Sequence, residues 1–464
     1  MDPVDLPAVE QFRLMEAGAL SAGELLEACS KRASITEPVV NALVAVDWNK
    51  AAELATALDS DRSLCRGAPL RGLVTAHKDL LDTAGVPTTY GSTVYARHVP
   101  ETDNPLVALL HRAGVVPVGK TNTPEFGAGS HTFNSVYGVT RNPWNPGLTA
   151  GGSSGGAAAA LACGSLSIAD GSDLGGSLRN PASFCGIVGF RPSAGRVPGN
   201  TGADPRITMP TNGPMGRTVA DVGLLFGAMT GHLEPPVQVD PPRALLSLDH
   251  GDLPVDPAVR RLVEDAAGTL EEEGWQIQSG DLSLAGADAC FETLRSLAYS
   301  LMHPDLVDDG RVKATVRGEI VRGMSLHPDD VDSALVTEAR IRQLWRRIFD
   351  DHDVVITPTS QVPPFPVGQE WVTEIEGVHL PNYTDWMRSC SRLTVTGAPS
   401  VSLPAGFTGD GLPVGVQLSC RRGSDAYLLA VAEAAEMCMG VDSQPPIEAI
   451  AAISPDDLPP GPPA

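Results

Sequence analysis

Residues 73–121 read LVTAHKDLLDTAGVPTTYGSTVYARHVPETDNPLVALLHRAGVVPVGKT. The opening Leu73-Val74-Thr75-Ala76 is a short apolar run ending on His77-Lys78-Asp79, and it reads as a buried strand. PLVALLHRAG, from Pro105 to Gly114, carries helical periodicity and stops on glycine. Val115-Val116-Pro117-Val118 reads as a second strand, expected at a sheet edge because proline withholds a ladder donor. Strand, helix and strand in succession specify an α/β fold.

Outward from this unit, other segments fit the same class. Ser21-Ala22-Gly23-Glu24 forms a capping box before a helix through LLEACSKRA, with Leu25, Leu26 and Cys29 on one face. Asp256-Pro257 supplies an N-cap and an N1 proline, and Val259, Leu262, Val263, Ala266 and Leu270 continue the apolar stripe. Asp353-Val354-Val355-Ile356-Thr357 and Pro399-Ser400-Val401-Ser402-Leu403 are expected to be late strands of the same sheet. The 464 residues are therefore read as one interrupted domain over 1–455 rather than as two or three. The proline-rich end, residues 456–464, is expected to be disordered.

The composition is that of a soluble enzyme, with 42% hydrophobic and 19% charged residues. Its 48 glycines and 40 prolines point to many tight turns. A net charge of −23, spread along the chain, excludes an electrostatic nucleic-acid surface and disfavours anionic substrates without a local basic pocket. The start MDPVDLPAVEQFRLMEAG has no basic region followed by an apolar one, and no window reaches the roughly 18 apolar residues of a membrane helix. A cytoplasmic location is expected, without membrane association. The eight cysteines are scattered with no C-x-x-C pair, so they read as structural thiols.

Two short patterns mimic other chemistries. Gly114 to Thr121 matches G-x-x-x-x-G-K-[ST], but the residues between the glycines are strand-like, Pro117 removes an N–H that a phosphate cradle needs, and Pro124 blocks a following helix. Gly151-Gly152-Ser153-Ser154-Gly155 matches the G-x-S-x-G elbow of α/β-hydrolase esterases, which would make Ser153 the nucleophile. That elbow requires a preceding strand, whereas RNPWNPGLTA reads as loop.

A joint pattern is more specific. Lys78 stands at a strand end, Ser153 in GGSSGG, and Ser177 in GSDLGGSLRNPASFCG. With GKTNTPEF at 119–126, NPW at 142–144, GFRPSAGRVP at 189–198, and GAPSVSLPAGF and GLPVGVQL later, the chain resembles the amidase signature family. The resemblance runs from about the first helix to residue 440, with a core at about 70–200 and a variable, substrate-recognising region at about 241–390. It implies one α/β domain with a mixed, twisted sheet between helices. It also implies a Ser-cisSer-Lys triad in which Ser177 is the nucleophile, Ser153 the bridging cis-serine and Lys78 the base. The backbone N–H groups of Leu174, Gly175, Gly176 and Ser177 correspond to the family's oxyanion hole, and Gly127, Ala128 and Gly129 to the wall beside the nucleophile. GSDLGGSLRN stands where many relatives carry GTDTGGSIR, a departure that bears on substrate preference.

Elementary chemistry supports these roles. A serine hydroxyl needs a base to become a nucleophile, and lysine serves when burial keeps it neutral. Glycines before Ser177 let backbone N–H groups face a developing oxyanion. Asp173 and Arg179 flank the turn as braces, and His77 and His131 read as packing and pocket-wall residues. Trp371, Tyr383 and Trp386 either wall an apolar pocket or belong to the core.

The expected activity is hydrolysis of a small-molecule amide by water through a Ser177 acyl-enzyme, with no cofactor and no metal. The resemblance also admits the A subunit of a tRNA-dependent amidotransferase, and it leaves a homodimer open.

Overall fold

In the computed structural model, which describes residues 2–61, 63–199, 204–232, 237 and 239–463, the strands fall in the following order. They are β1 (Leu43–Val44), β2 (Val74–Lys78), β3 (Val116–Thr121), the hairpin β4 (Phe133–Asn134) and β5 (Gly138–Val139), β6 (Ala169–Asp173), β7 (Val188–Arg191) and β8 (Thr211–Gly216). Then come β9 (Arg243–Leu246), β10 (Gln276–Ser279), β11 (Val354–Pro358), the hairpin β12 (Glu374–Ile375) and β13 (Val378–His379), β14 (Ser400–Phe407) and β15 (Pro413–Ser419). Eight of them form a mixed sheet in the order β10-β9-β11-β15-β14-β7-β8-β6. Its β10/β9 and β9/β11 pairs are parallel and the remaining pairs antiparallel.

Helices flank this sheet in two groups. Val219–Thr230 and Pro257–Glu272 both pack against Asp425–Met439, and all three lie on the sheet. Gly155–Cys163 and Arg179–Cys185 pack on each other and on it as the second group. Every residue of Gly155–Cys163 is buried, and its small side chains have a steric cause. A Cβ on Gly156 would lie 2.3 Å from the Asn122 nitrogen and 2.7 Å from the Ala42 carbonyl oxygen, both rigid backbone.

Two expectations about the strands are corrected. β2 and β3 form a separate three-stranded sheet, order β1-β3-β2, rather than joining β11 and β14 in one. β2 instead lies beside β6, tied by the Ser167 N–H donating to the Val74 carbonyl at 3.0 Å. β3 is also central in its sheet rather than at the edge. Its proline is tolerated because the two-residue β1 pairs only with Lys120 and Thr121, leaving Pro117 opposite β2 alone.

The capping box at Ser21 opens a helix that runs from Ala22 to Val40, past Pro38. Asp256 caps Pro257–Glu272, with its carboxylate accepting from the Ala258 N–H. The 241–390 region adds a further helical layer, in which Ala287–Met302 packs against Ala314–Met324, Pro328–Asp351 and Arg388–Thr396. No helix among the described residues is long and apolar enough to cross a membrane.

Candidate active site

Lys78 is the last residue of β2 and has no exposed surface. Its backbone N–H donates to Asp170 Oδ1 at 2.9 Å, which fixes the strand end against β6. The amine lies 2.8 Å from Ser153 Oγ, 2.8 Å from Ser154 Oγ and 3.0 Å from Ser172 Oγ. Burial drives the ammonium down to about 7, opposed by the charges of Asp173 and Asp170. Near neutrality the group thus exchanges between an ammonium with three donors and an amine with two donors and one acceptor site. As an amine it can accept the Ser153 hydroxyl proton while donating to Ser154 and Ser172.

Ser153 is held by a turn rather than by a strand. The Gly152–Ser153 peptide is cis. Ser130 Oγ donates to the Gly152 carbonyl at 2.6 Å, and Thr132 donates to the Gly151 carbonyl through both its N–H and its Oγ1, at 3.0 and 2.8 Å. The helix Gly155–Cys163 begins immediately after this turn. Its neighbour Ser154 donates from its N–H to the Ser177 carbonyl at 3.2 Å, clasping the two glycine-rich turns together.

The second turn is organised by Asp173. Its carboxylate accepts two bonds from Arg179, each of 3.0 Å, and one from Arg191 at 3.1 Å, with all three side chains fully buried. Burial alone would raise the Asp173 carboxyl; the two guanidinium groups outweigh it and hold it well below the usual range. The same carboxylate accepts from the Gly176 N–H at 2.9 Å and the Leu178 N–H at 3.1 Å.

Gly176 therefore departs from the expected set of four free donors, because its N–H is turned into the fold by Asp173. The N–H groups of Leu174, Gly175 and Ser177 have no acceptor among the described residues. Backbone donors left unpaired at a largely buried turn are rare unless they serve a ligand. Gly176 has φ +123°, and a Cβ there would lie 2.7 Å from both Asn180 Nδ2 and Cys390 Cβ, so only glycine fits. The Ser177 hydroxyl also has no hydrogen-bond partner among the described residues, and Ser177 keeps 9% of its surface accessible.

Gly127, Ala128 and Gly129 pass beside these turns. A Cβ on Gly127 would lie 3.4 Å from Ser153 Oγ, and one on Gly129 3.9 Å from the Tyr383 ring. Ala128 is buried. Of the three aromatic residues left open by the sequence, Trp386 is core, packed with Phe184 and Phe365, while Tyr383 reaches the glycine wall.

His77 is buried away from the serines, with Nδ1 2.6 Å from Asp170 Oδ2 and Nε2 3.2 Å from His111 Nε2. His131 bonds through Nε2 to the Val367 carbonyl at 2.9 Å, and burial pulls it down to about 4. Among the described residues no group of three or more His, Cys, Asp or Glu is placed to hold a metal ion. The stretch Gly114–Thr121 runs into β3 instead of opening a helix, so it forms no phosphate loop. Ser154 and Ser172 are site residues that motif reading passed over. Ser154 had the signal of adjacency to Ser153, while Ser172 reaches Lys78 only because β6 lies against β2.

The model of the family described as Amidase matches residues 24–429. This chain belongs to the amidase family. Amidases hydrolyse amide C–N bonds, and the chain is an enzyme of that kind. The acylamidase of Rhodococcus erythropolis is 32% identical over 461 residues, covering 92% of this chain and 94% of that protein. The A subunit of the glutamyl-tRNA(Gln) amidotransferase of Chloroflexus aggregans is 32% identical over 466 residues, covering 90% of this chain and 93% of that one. The crystal structure of a bacterial aryl acylamidase of the amidase signature enzymes superposes with a TM-score of 0.86 at 25% identity, covering 97% of this chain and 99% of that one. The amidase fold, a mixed sheet between helices, is thereby the fold of this chain.

Proposed function

We propose that this amidase hydrolyses a carboxylic amide through an acyl-enzyme on Ser177, with Ser153 as proton relay and Lys78 as base. The observation that carries the reading is the contact of a fully buried lysine amine with Ser153 Oγ at 2.8 Å, beside a turn of unpaired N–H groups that ends on Ser177. Ser177 Oγ bonds to the carbonyl carbon as its proton passes to Ser153, whose own proton passes to Lys78. The N–H groups of Leu174, Gly175 and Ser177 stabilise the oxyanion. Collapse breaks the C–N bond, and the proton returns through Ser153 to the departing amine. Water then cleaves the ester by the same path.

The test is labelling with an alkyl fluorophosphonate, followed by peptide mapping. Modification of Ser177 is expected; modification of Ser153 in its place would overturn the roles and favour the esterase-type elbow.

The likeness to the amidotransferase protein of Chloroflexus aggregans supports a second reading, one component of a glutamine-dependent amidotransferase. The purified chain separates the two. Turnover of simple amides without any partner supports the hydrolase, and glutamine cleavage that appears only with partner proteins supports the transferase.

A further inference from the structure

The helix Ala287–Met302, in the region where sequence motifs are weakest, carries Phe291, Arg295 and Tyr299 on one face at intervals of four residues. That face spans both parts of the candidate site. A Cβ on Gly175 would lie 2.7 Å from Phe291 Cζ, so the phenyl ring rests on the nucleophile turn. At the other end the Tyr299 hydroxyl donates to the Phe126 carbonyl at 3.2 Å, next to the 127–129 wall.

Arg295 lies between them, 3% exposed, with its guanidinium 4.7 Å from the Tyr299 ring centre and 5.1 Å from that of Tyr383. Its charge is matched by Glu319, whose Oε1 lies 2.7 Å from Nη1, an ion pair whose geometry leaves Nη1 without a hydrogen bond among the described residues. The Tyr383 hydroxyl donates to the same Oε1 at 3.0 Å, and Ser296 Oγ donates to Oε2 at 2.6 Å. Arg322 approaches that carboxylate only from the exposed side, at 3.9 Å. A second cation near the wall, Lys313, is paired with Glu370 at 2.6 Å. A cation thus lies behind the nucleophile turn and the glycine wall, and a buried carboxylate offsets its charge.

We propose that this layer, Phe291, Arg295, Tyr299 and Tyr383 with Glu319 behind them, sets substrate class, selecting amides with a neutral, apolar substituent over amides that carry a second carboxylate. The proposal rests on the hydrolase reading of Ser177 above. A substrate carboxylate entering here loses its water, meets hydroxyls whose protons are already given to Glu319 and Phe126, and faces Glu319 itself. An alkyl or aryl group instead packs on the half-buried Tyr383 ring beside Gly129, and each buried methylene strengthens binding. The net charge of −23 acts in the same direction at long range.

Hexanamide and the monoamide of adipic acid test the proposal, since they differ by a terminal methyl group against a carboxylate. Wild-type kcat/KM should favour hexanamide by about a hundredfold or more. Glu319→Gln keeps the size and the bonds from Ser296 and Tyr383 but uncovers the Arg295 charge. It should narrow the preference by about tenfold or more. Glu319→Gln combined with Arg295→Met removes both charges and should restore it. Where either amide is turned over too slowly to follow, labelling rates of Ser177 by a hexyl and a 5-carboxypentyl fluorophosphonate give the same ratio. An enzyme that reacts at Ser177 with both charge types equally, or a folded Glu319→Gln variant with an unchanged ratio, overturns the selecting layer and leaves the hydrolase reading standing. A wild-type ratio decides the matter even where the Glu319 variants do not fold. A protein that labels nowhere on Ser177 overturns the hydrolase reading and the selecting layer with it.

Discussion

The amine of Lys78 and the hydroxyl of Ser153 stand 2.8 Å apart, although 75 positions separate them in the chain. The contact exists because β2 delivers its last side chain under the turn that precedes the helix Gly155–Cys163. Placing an amine in that layer removes its hydration, and desolvation is the largest influence on its protonation.

An acid limb follows from this. In the proposed mechanism Lys78 must be neutral to take the relayed proton, so kcat/KM should rise with pH and reach half its plateau near pH 7, where burial has placed the group. An exposed lysine would put that midpoint near 10.4. Lys78→Ala should lower amide turnover by about 10²–10⁴-fold, and Lys78→Arg should not rescue it because guanidinium stays protonated. Rates against pH for the three proteins, with circular dichroism to confirm folding, check both statements.

The same shift acts on stability with a definite sign. The folded pKa of Lys78 is depressed below its unfolded value, so between about pH 7 and 10 the unfolded chain binds more protons at this position than the folded one. Its contribution to stability therefore rises with pH across that window and is least favourable below it. Replacing the amine by an apolar chain of similar length, Lys78→Met, should remove that part of the slope. Urea midpoints of wild type and Lys78→Met at pH 6.5, 8 and 9.5 measure it, and parallel slopes would count against a buried, depressed lysine.

Asp173 is expected to govern both folding and turnover. Its carboxylate is the shared acceptor for Arg179, Arg191 and the Gly176 N–H, all without solvent contact. Asp173→Ala leaves two buried guanidinium groups without their anion, a loss of about 3–5 kcal/mol. It also frees the Gly176 N–H and loosens the turn that presents Ser177. Chemical denaturation should show the stability loss, and any protein that remains folded should have lower kcat.

Much of this was legible before the structure, for physical reasons that can be traced to particular residues. Ser153 and Ser177 lie in short segments whose glycines are needed for close backbone approach, and Lys78 ends a short apolar run, so their signal is local. Ser172 carries no such signal, since its hydroxyl meets Lys78 only through the packing of β6 on β2. The Gly176 N–H looked like a fourth donor because nothing local reveals that Asp173 folds back to take it. Pro117 suggested an edge strand by a sound rule, and the brevity of β1 is what lets it lie in a central one. Phe291, Arg295 and Tyr299 look like an ordinary helix face until the two turns they touch are placed.

The hydroxyls around Lys78 should separate by function. Ser153→Ala removes the atom through which the proposed proton path runs, so kcat should fall by about 10²–10⁴-fold with little change in the acid limb of whatever activity remains. Ser154 Oγ is equally close to the amine, at 2.8 Å, but it lies outside that path, and its other bonds go to the backbone of Ser172. Losing it should lower kcat at the plateau by no more than about tenfold, the worth of one net hydrogen bond. The two protonation states of Lys78 feel that loss unequally. Both states donate to Ser154, but the bond from the charged ammonium is the stronger of the two. Ser154→Ala therefore penalises the ammonium more, lowers the pKa of Lys78 and moves the acid limb below pH 7. Below that limb's midpoint the variant should lose less ground to wild type than it does at pH 9. The check is kcat/KM from pH 5.5 to 9.5 for wild type, Ser153→Ala and Ser154→Ala. If Ser154→Ala moves the limb upward, or loses as much plateau activity as Ser153→Ala, the assignment of the relay to Ser153 alone is wrong.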